Sequence, residues 1–132
     1  LAVTPTMAED VAITAQKLPQ EAQKFLKAHY PQNKVLSAMH DRDVADNDYT
    51  VYLEDGTKIE FDGSGKWESV KNHNGKIPSG VVPAEIQNYI ATHYQSLGIE
   101  KIERKRYGYE VELTNDLDMK FSLNGKFLGL DD

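Results

Sequence analysis

The chain has 132 residues, 27% of them charged, a formal net charge of -6 and no cysteine. This balance offers no basic stripe to a nucleic-acid backbone, no apolar run approaches the roughly 20 residues of a membrane-spanning helix, and disulfides, thiol nucleophiles and thiolate metal sites are excluded. The length suits one continuous fold, because two units of about 60 residues each would hold little core unless packed together.

Residues 1–12, with Pro5, small side chains and two acids, read as a lead-in segment that starts at Leu1, as a chain trimmed of a signal peptide would. From Pro19 to Tyr30 the positions Ala22, Phe25, Leu26 and His29 follow the i, i+3, i+4, i+7 spacing of one helix face, with Glu21 placed for the positive end of the dipole. Pro31 stops that helix. A strand is expected near Val35–His40. A hairpin follows in which Tyr49, Val51 and Leu53, then Ile59 and Phe61, alternate with polar residues about an Asp55–Gly56 turn. Gly63–Ser64–Gly65 is a further turn signal, and a short fourth strand carries Trp67 and Val70.

The same order then recurs. After a link over residues 71–76, Ile77, Val82, Pro83, Glu85, His93 and Tyr94 repeat Ile13, Leu18, Pro19, Glu21, His29 and Tyr30 at a shift of about 64. A second helix is expected over Pro83–Tyr94, with Ile86, Tyr89, Ile90 and His93 on one stripe. A strand near Ile99–Arg106 precedes a second hairpin, where Tyr109, Val111 and Leu113, then Met119, Phe121 and Leu123, alternate with polar positions. Phe127, Leu128 and Leu130 mark its last strand. The expected fold is α+β: two tandem repeats, residues 13–70 and 77–132, each of one helix and about four antiparallel strands. They would form one antiparallel sheet of about eight strands with the helices on one face.

Leu18–Pro19 with Ala22, Phe25 and His29–Tyr30–Pro31, Tyr49–Thr50–Val51–Tyr52–Leu53 with Asp55–Gly56, Ile59 with Phe61–Asp62 and Gly65 with Trp67 resemble the PepSY-like, β-lactamase-inhibitor-like domains of exported bacterial proteins. Tyr109–Glu110–Val111–Glu112–Leu113, Lys120–Phe121 and Gly125–Lys126–Phe127–Leu128 extend the similarity over nearly the whole chain after Ile13. The resemblance implies a BLIP-like fold, a periplasmic or secreted location with the signal peptide removed, and a protein-binding role, with a protein of the cell envelope or outside it as partner.

No residue set reads as catalytic. Glu110 and Glu112 share the wet side of one strand rather than facing each other across a substrate, and Ser64, Ser79 and Ser96 have no matched base. His29 and His93 end helix stripes, while His40 and His73 lack spaced partners, so neither a metal nor another cofactor is expected. Asp41, Asp43, Asp46 and Asp48 make an acidic stretch without the glycine and terminal glutamate of a calcium loop. Lys101, Arg104, Lys105 and Arg106 form the one local basic cluster, in which alternation pairs Arg104 with Arg106. The candidate interface is the wet sheet face: Tyr52, Glu54, Lys58, Glu60, Glu110, Glu112 and Lys120, with Trp67 assigned there although its strand is too short to fix face or core. The leading expectation is a non-enzymatic exported binding module, with inhibition through that face as one form of the binding; the alternative is a periplasmic sensor or carrier for a small ligand or cation.

Overall fold

The computed structural model describes residues 10–42 and 47–131. Among these described residues nine strands form one antiparallel sheet in simple chain order: β1 (Asp10–Ile13), β2 (Val35–Arg42), β3 (Asn47–Leu53), β4 (Lys58–Phe61), β5 (Trp67–Lys71), β6 (Ile99–Arg104), β7 (Gly108–Leu113), β8 (Asp118–Ser122) and β9 (Phe127–Asp131). The sheet is thus one strand wider than expected: β1 starts inside the stretch read as a lead-in and pairs with β2. A 3-10 turn over Ala15–Lys17 leads into α1 (Gln20–His29), and α2 (Ala84–His93) follows the link after β5. Pro19 and Pro83 occupy the two N-caps, and the backbone N–H groups of Tyr30 and Tyr94 close the helices on Leu26 and Ile90. Proline is at home there because its missing N–H would have no partner at a helix start.

Strand register explains the core. Ile13, Ala38, Val51, Ile59, Val70, Ile102, Val111, Met119 and Leu130 lie opposite one another in turn, one residue from each strand, and form an apolar row across the whole sheet. The seven from Ala38 to Met119 are buried, with the helices packed above them. Ala22 of α1 and Ile86 and Ile90 of α2 face down into this layer. The row is the period-2 pattern of the sequence made continuous by hydrogen-bonded pairing. At β5–β6 it carries through Val70 opposite Ile102, reinforced by the Asn72 N–H donating to the Glu100 carbonyl at 2.8 Å.

Register slips by one residue at four places: beside Leu36 in β2, Glu68 in β5, Glu100 in β6 and Leu128 in β9. A bulge of this kind flips every residue beyond it to the other face. Strict alternation outward from Val70 would carry Trp67 to the wet face. The slip at Glu68 instead turns the ring towards the helices, where it is 8% exposed and 6.4 Å from the Phe25 ring. Trp67 therefore does not belong with the wet face. Leu123 departs from the sequence reading as well: β8 ends at Ser122, and Leu123 is 68% exposed in the following turn.

Candidate functional site

The sheet face away from the helices remains uncovered among the described residues, and two rows of side chains cross it. One runs Ser37, Tyr52, Lys58, Lys71, Lys101, Glu112, Asp118 and Asp131, each opposite the next. Three lysines from β4–β6 thus stand beside three acids from β7–β9, giving this row a positive and a negative half. The parallel row, Thr50, Glu60, Ser69, Glu103, Glu110 and Lys120, mixes both signs.

Within this frame the candidates from sequence fall into two groups. Tyr52, 40% exposed, has the Lys58 ammonium 5.8 Å from its ring centre, and Lys58 reaches Glu60 at 3.4 Å. On the other half Glu110 and Glu112, with Lys101, Glu103 and Asp118, line a depression of about 140 Å³. Lys120 pairs with Asp131 at 3.7 Å and Lys101 with Glu103 at 3.2 Å. These ion pairs are half exposed and worth little individually. Glu54 sits off the rows, in the β3–β4 turn, where its exposed carboxylate accepts weakly from the Lys34 N–H at 3.5 Å. Lys71, Asp118 and Asp131 were missed from sequence; the signal was present in their alternation, but only pairing order aligns them into one row.

The acids of the negative half crowd one another. Partial burial pushes the Glu112 carboxyl up, and the charges of Asp118, Glu100 and Asp116 push it the same way, against a smaller pull from Lys71. The acids outnumber the lysines around it, Lys101 and Lys71, and a cation brought from outside would be favoured there.

The four histidines have local partners. His93 donates from Nδ1 to the Tyr89 carbonyl at 2.9 Å and stacks on that ring; His29 packs on Phe25 at 4.7 Å. His40 stacks on Tyr49 and contacts Asn47 at 2.7 Å, and His73 contacts the buried Glu100 at 2.9 Å. Among the described residues no group of three His, Asp or Glu side chains is placed to hold a metal ion. Asp41 and Asp48 face each other across β2 and β3, whereas Asp43 and Asp46 of the acidic stretch lie outside the described residues. The basic cluster divides. β6 ends at Arg104, whose guanidinium covers the Trp67 ring on the helix side, while Arg106 lies in the turn beyond and the expected alternation stops short of it.

A family model described as "Putative beta-lactamase-inhibitor-like, PepSY-like" matches residues 6–44 and 47–129. The chain belongs to this PepSY-like family. Among solved structures, a "putative calcium-regulated periplasmic protein" from Bacteroides thetaiotaomicron is 36% identical, with a TM-score of 0.88 over 93% of this chain and 97% of its own. A "putative periplasmic protein" from Bacteroides vulgatus is 39% identical at a TM-score of 0.85, covering 94% of this chain and 98% of its own. Another from that organism, a "putative periplasmic protein of unknown function", is 35% identical at 0.87, covering 94% and 100%. A search of curated proteins finds no match. The periplasmic location implied by the PepSY-like resemblance is the one these relatives carry in their names, and no helix among the described residues is long and apolar enough to cross a membrane.

Proposed function

We propose that this PepSY-like protein is a non-enzymatic periplasmic binding module that engages another protein through its uncovered sheet face. The observation that carries the reading is the charge-divided row from Lys58 to Asp131. Nine strands spaced about 4.8 Å apart span roughly 38 Å, enough for a standard interface of about 800 Å² per partner. Tyr52 supplies an aromatic anchor beside the lysine half, and the crowded acids around Glu112 favour a partner offering Lys or Arg to that half. Opposed charges at the two ends of one row fix the orientation in which a complementary surface docks. Blocking of an enzyme's active site is one way such a module would act, and the family description favours it.

We also infer that residues 13–70 and 77–132 are two copies of one unit. The matching proline N-caps, the equal helix lengths and the bulges at Leu36 and Glu100, and at Glu68 and Leu128, support this reading. On this reading the bipolar row is what divergence of two like halves has produced.

The test is a double variant, Tyr52→Ala with Glu112→Lys. Both positions are on the wet face, so the melting temperature should move little, while a stoichiometric partner captured from the periplasmic extract should be held about tenfold or more weakly. Retention of the partner at wild-type affinity would rule out this face. The name of the relative from Bacteroides thetaiotaomicron keeps a second reading in view, a response to calcium; a calcium-dependent rise in melting temperature would support it.

A further inference from the structure

The helix side of the sheet carries a second lateral row, and its composition is unusual. Tyr49, Phe61 and Trp67 follow one another across β3–β5, and Tyr109, Phe121 and Phe127 across β7–β9. Between these two aromatic triplets, opposite Tyr109, stands Arg104. Phe25 of α1 packs edge-on against Phe61, and Tyr89 of α2 does the same to Phe121 and stacks on Phe127. At Arg104 the layer opens instead into a cleft of about 540 Å³. Trp67 and Arg104 line it together with Glu21, Lys24, Phe25 and Ala28 of α1 and the turn residue Lys66. A second recess of about 300 Å³ shares Lys66, Trp67 and Arg104 and adds Lys105 and Arg106 along with the acids Asp62 and Glu68.

Arg104 is held as a receptor would be. Its guanidinium lies 4.3 Å from the centre of the Trp67 ring, which in turn stacks on Tyr109 at 6.4 Å. Its Nε is buried and makes no hydrogen bond among the described residues. A cation stacked on an indole keeps a planar fork of donors in one orientation and loses little freedom on meeting a planar oxyanion. Of the nearby cations, Lys24 is engaged by Glu21 at 3.5 Å and Lys105 by Glu103 at 3.7 Å, both loosely and at the surface. The two recesses together hold five basic side chains, Lys24, Lys66, Arg104, Lys105 and Arg106, against three acids, Glu21, Asp62 and Glu68, a local positive excess in a chain whose formal net charge is -6. Phe25, Ala28 and Trp67 supply apolar walls next to it.

We propose that this cleft binds a small amphipathic carboxylic acid, its carboxylate on Arg104 with Lys66 beside it and its apolar body along Trp67 and Phe25. The volume falls within the usual span of small-molecule sites, roughly 300–1,000 Å³. Apolar walls around one fixed guanidinium suit a monoanion on a hydrocarbon body better than a free phosphate, whose full hydration they would strip. The site lies on the opposite side of the sheet from the proposed protein interface and does not rest on that reading.

Trp67 is the only tryptophan in the chain, so its emission reports on this cleft alone. Intact protein would be titrated with sodium octanoate, with octanamide, with sodium phosphate and with a short apolar peptide bearing a free C-terminus. Octanoate should change the emission saturably, octanamide should bind about tenfold or more weakly for want of the charge-assisted pair, and phosphate should leave the emission unchanged. Arg104→Gln should weaken octanoate by a similar factor, and Lys66→Gln, at an exposed position, by less. No saturation by about 1 mM octanoate, the dissociation constant of a weak site, would overturn the proposal. So would equal binding of acid and amide, or binding of the peptide or phosphate but not octanoate. The acid-against-amide comparison uses the unaltered protein and stands whether or not Arg104→Gln folds.

Discussion

Tyr30 ends α1 with its phenol turned into the protein: the residue is 4% exposed, and among the described residues its hydroxyl finds no hydrogen-bond partner of good geometry although Thr57 is close. Thr57 is instead engaged by Asn72, whose Nδ2 donates to the threonine hydroxyl at 2.9 Å while its Oδ1 accepts from the Asn74 and Lys76 N–H groups. Burial, and then the charge of Asp55, push the Tyr30 phenol far above the ordinary value of 10.0. The folded chain therefore keeps its proton where the unfolded chain has lost it. The stability this represents is full below about pH 10 and falls as pH rises from there towards the folded value. Tyr30→Phe should be nearly neutral at pH 7, since the lost hydroxyl had no partner. At pH 11 it should be more stable than the wild type by roughly 1.4 kcal/mol, the linkage for one pH unit. Urea unfolding at the two pH values decides it: parallel losses in both proteins would mean that Tyr30 does not sense alkaline pH.

How the helices come to sit where they do is a matter of turns beneath them. Gly65, at φ +91, runs so close under the start of α1 that an added Cβ would lie 2.8 Å from the Pro19 Cβ and 2.9 Å from the Ala22 nitrogen; Gly125, at φ +85, does the same under Glu85 of α2. Asp62 shapes the first of these turns. Burial works to raise its carboxyl, but hydrogen bonds from the Ser64 hydroxyl and from the backbone of Lys66, Ser64 and Gly65 outweigh it and hold it below the usual range. Gly56 has nearly the same backbone angle, φ +90, with nothing within 4 Å of an added Cβ. Gly56→Ala should therefore cost about 1 kcal/mol, the left-handed strain alone. Gly65→Ala should cost about 2 kcal/mol or more beyond that, because the helix must shift. Chemical denaturation of the two variants separates the effects, and equal losses would show that the turn does not seat α1.

At the scale of the whole molecule the sheet is one object, and β5 and β6 are its seam: Val70, fully buried, lies opposite Ile102, also fully buried. A fragment of residues 13–70 would expose that seam as an open apolar edge with too little core to offset its chain entropy. It should show no cooperative melting transition of its own; a transition with the parent's stability would refute a single cooperative sheet. Much of this architecture is legible in the chain. The helix stripes of Ala22–Phe25 and Ile86–Ile90, the hairpin about Asp55–Gly56, the second hairpin between Leu113 and Met119 and the helix starts at Pro19 and Pro83 follow from side-chain period and from backbone angles that local residues prefer, which act within a few positions. Strand β1 was hidden because four residues without strong alternation become a strand only when β2 offers an edge. Trp67 was misplaced because a register slip depends on the partner strand, leaving no mark in the period of its own. The bipolar row needs all nine strands in order before Lys71, Lys101, Glu112 and Asp118 stand in line, and the stacking of Arg104 on Trp67 needs the seam to close. Period and propensity are short-range quantities and were settled by the sequence itself; which faces meet, and which charges share a row, is decided only when distant strands pair.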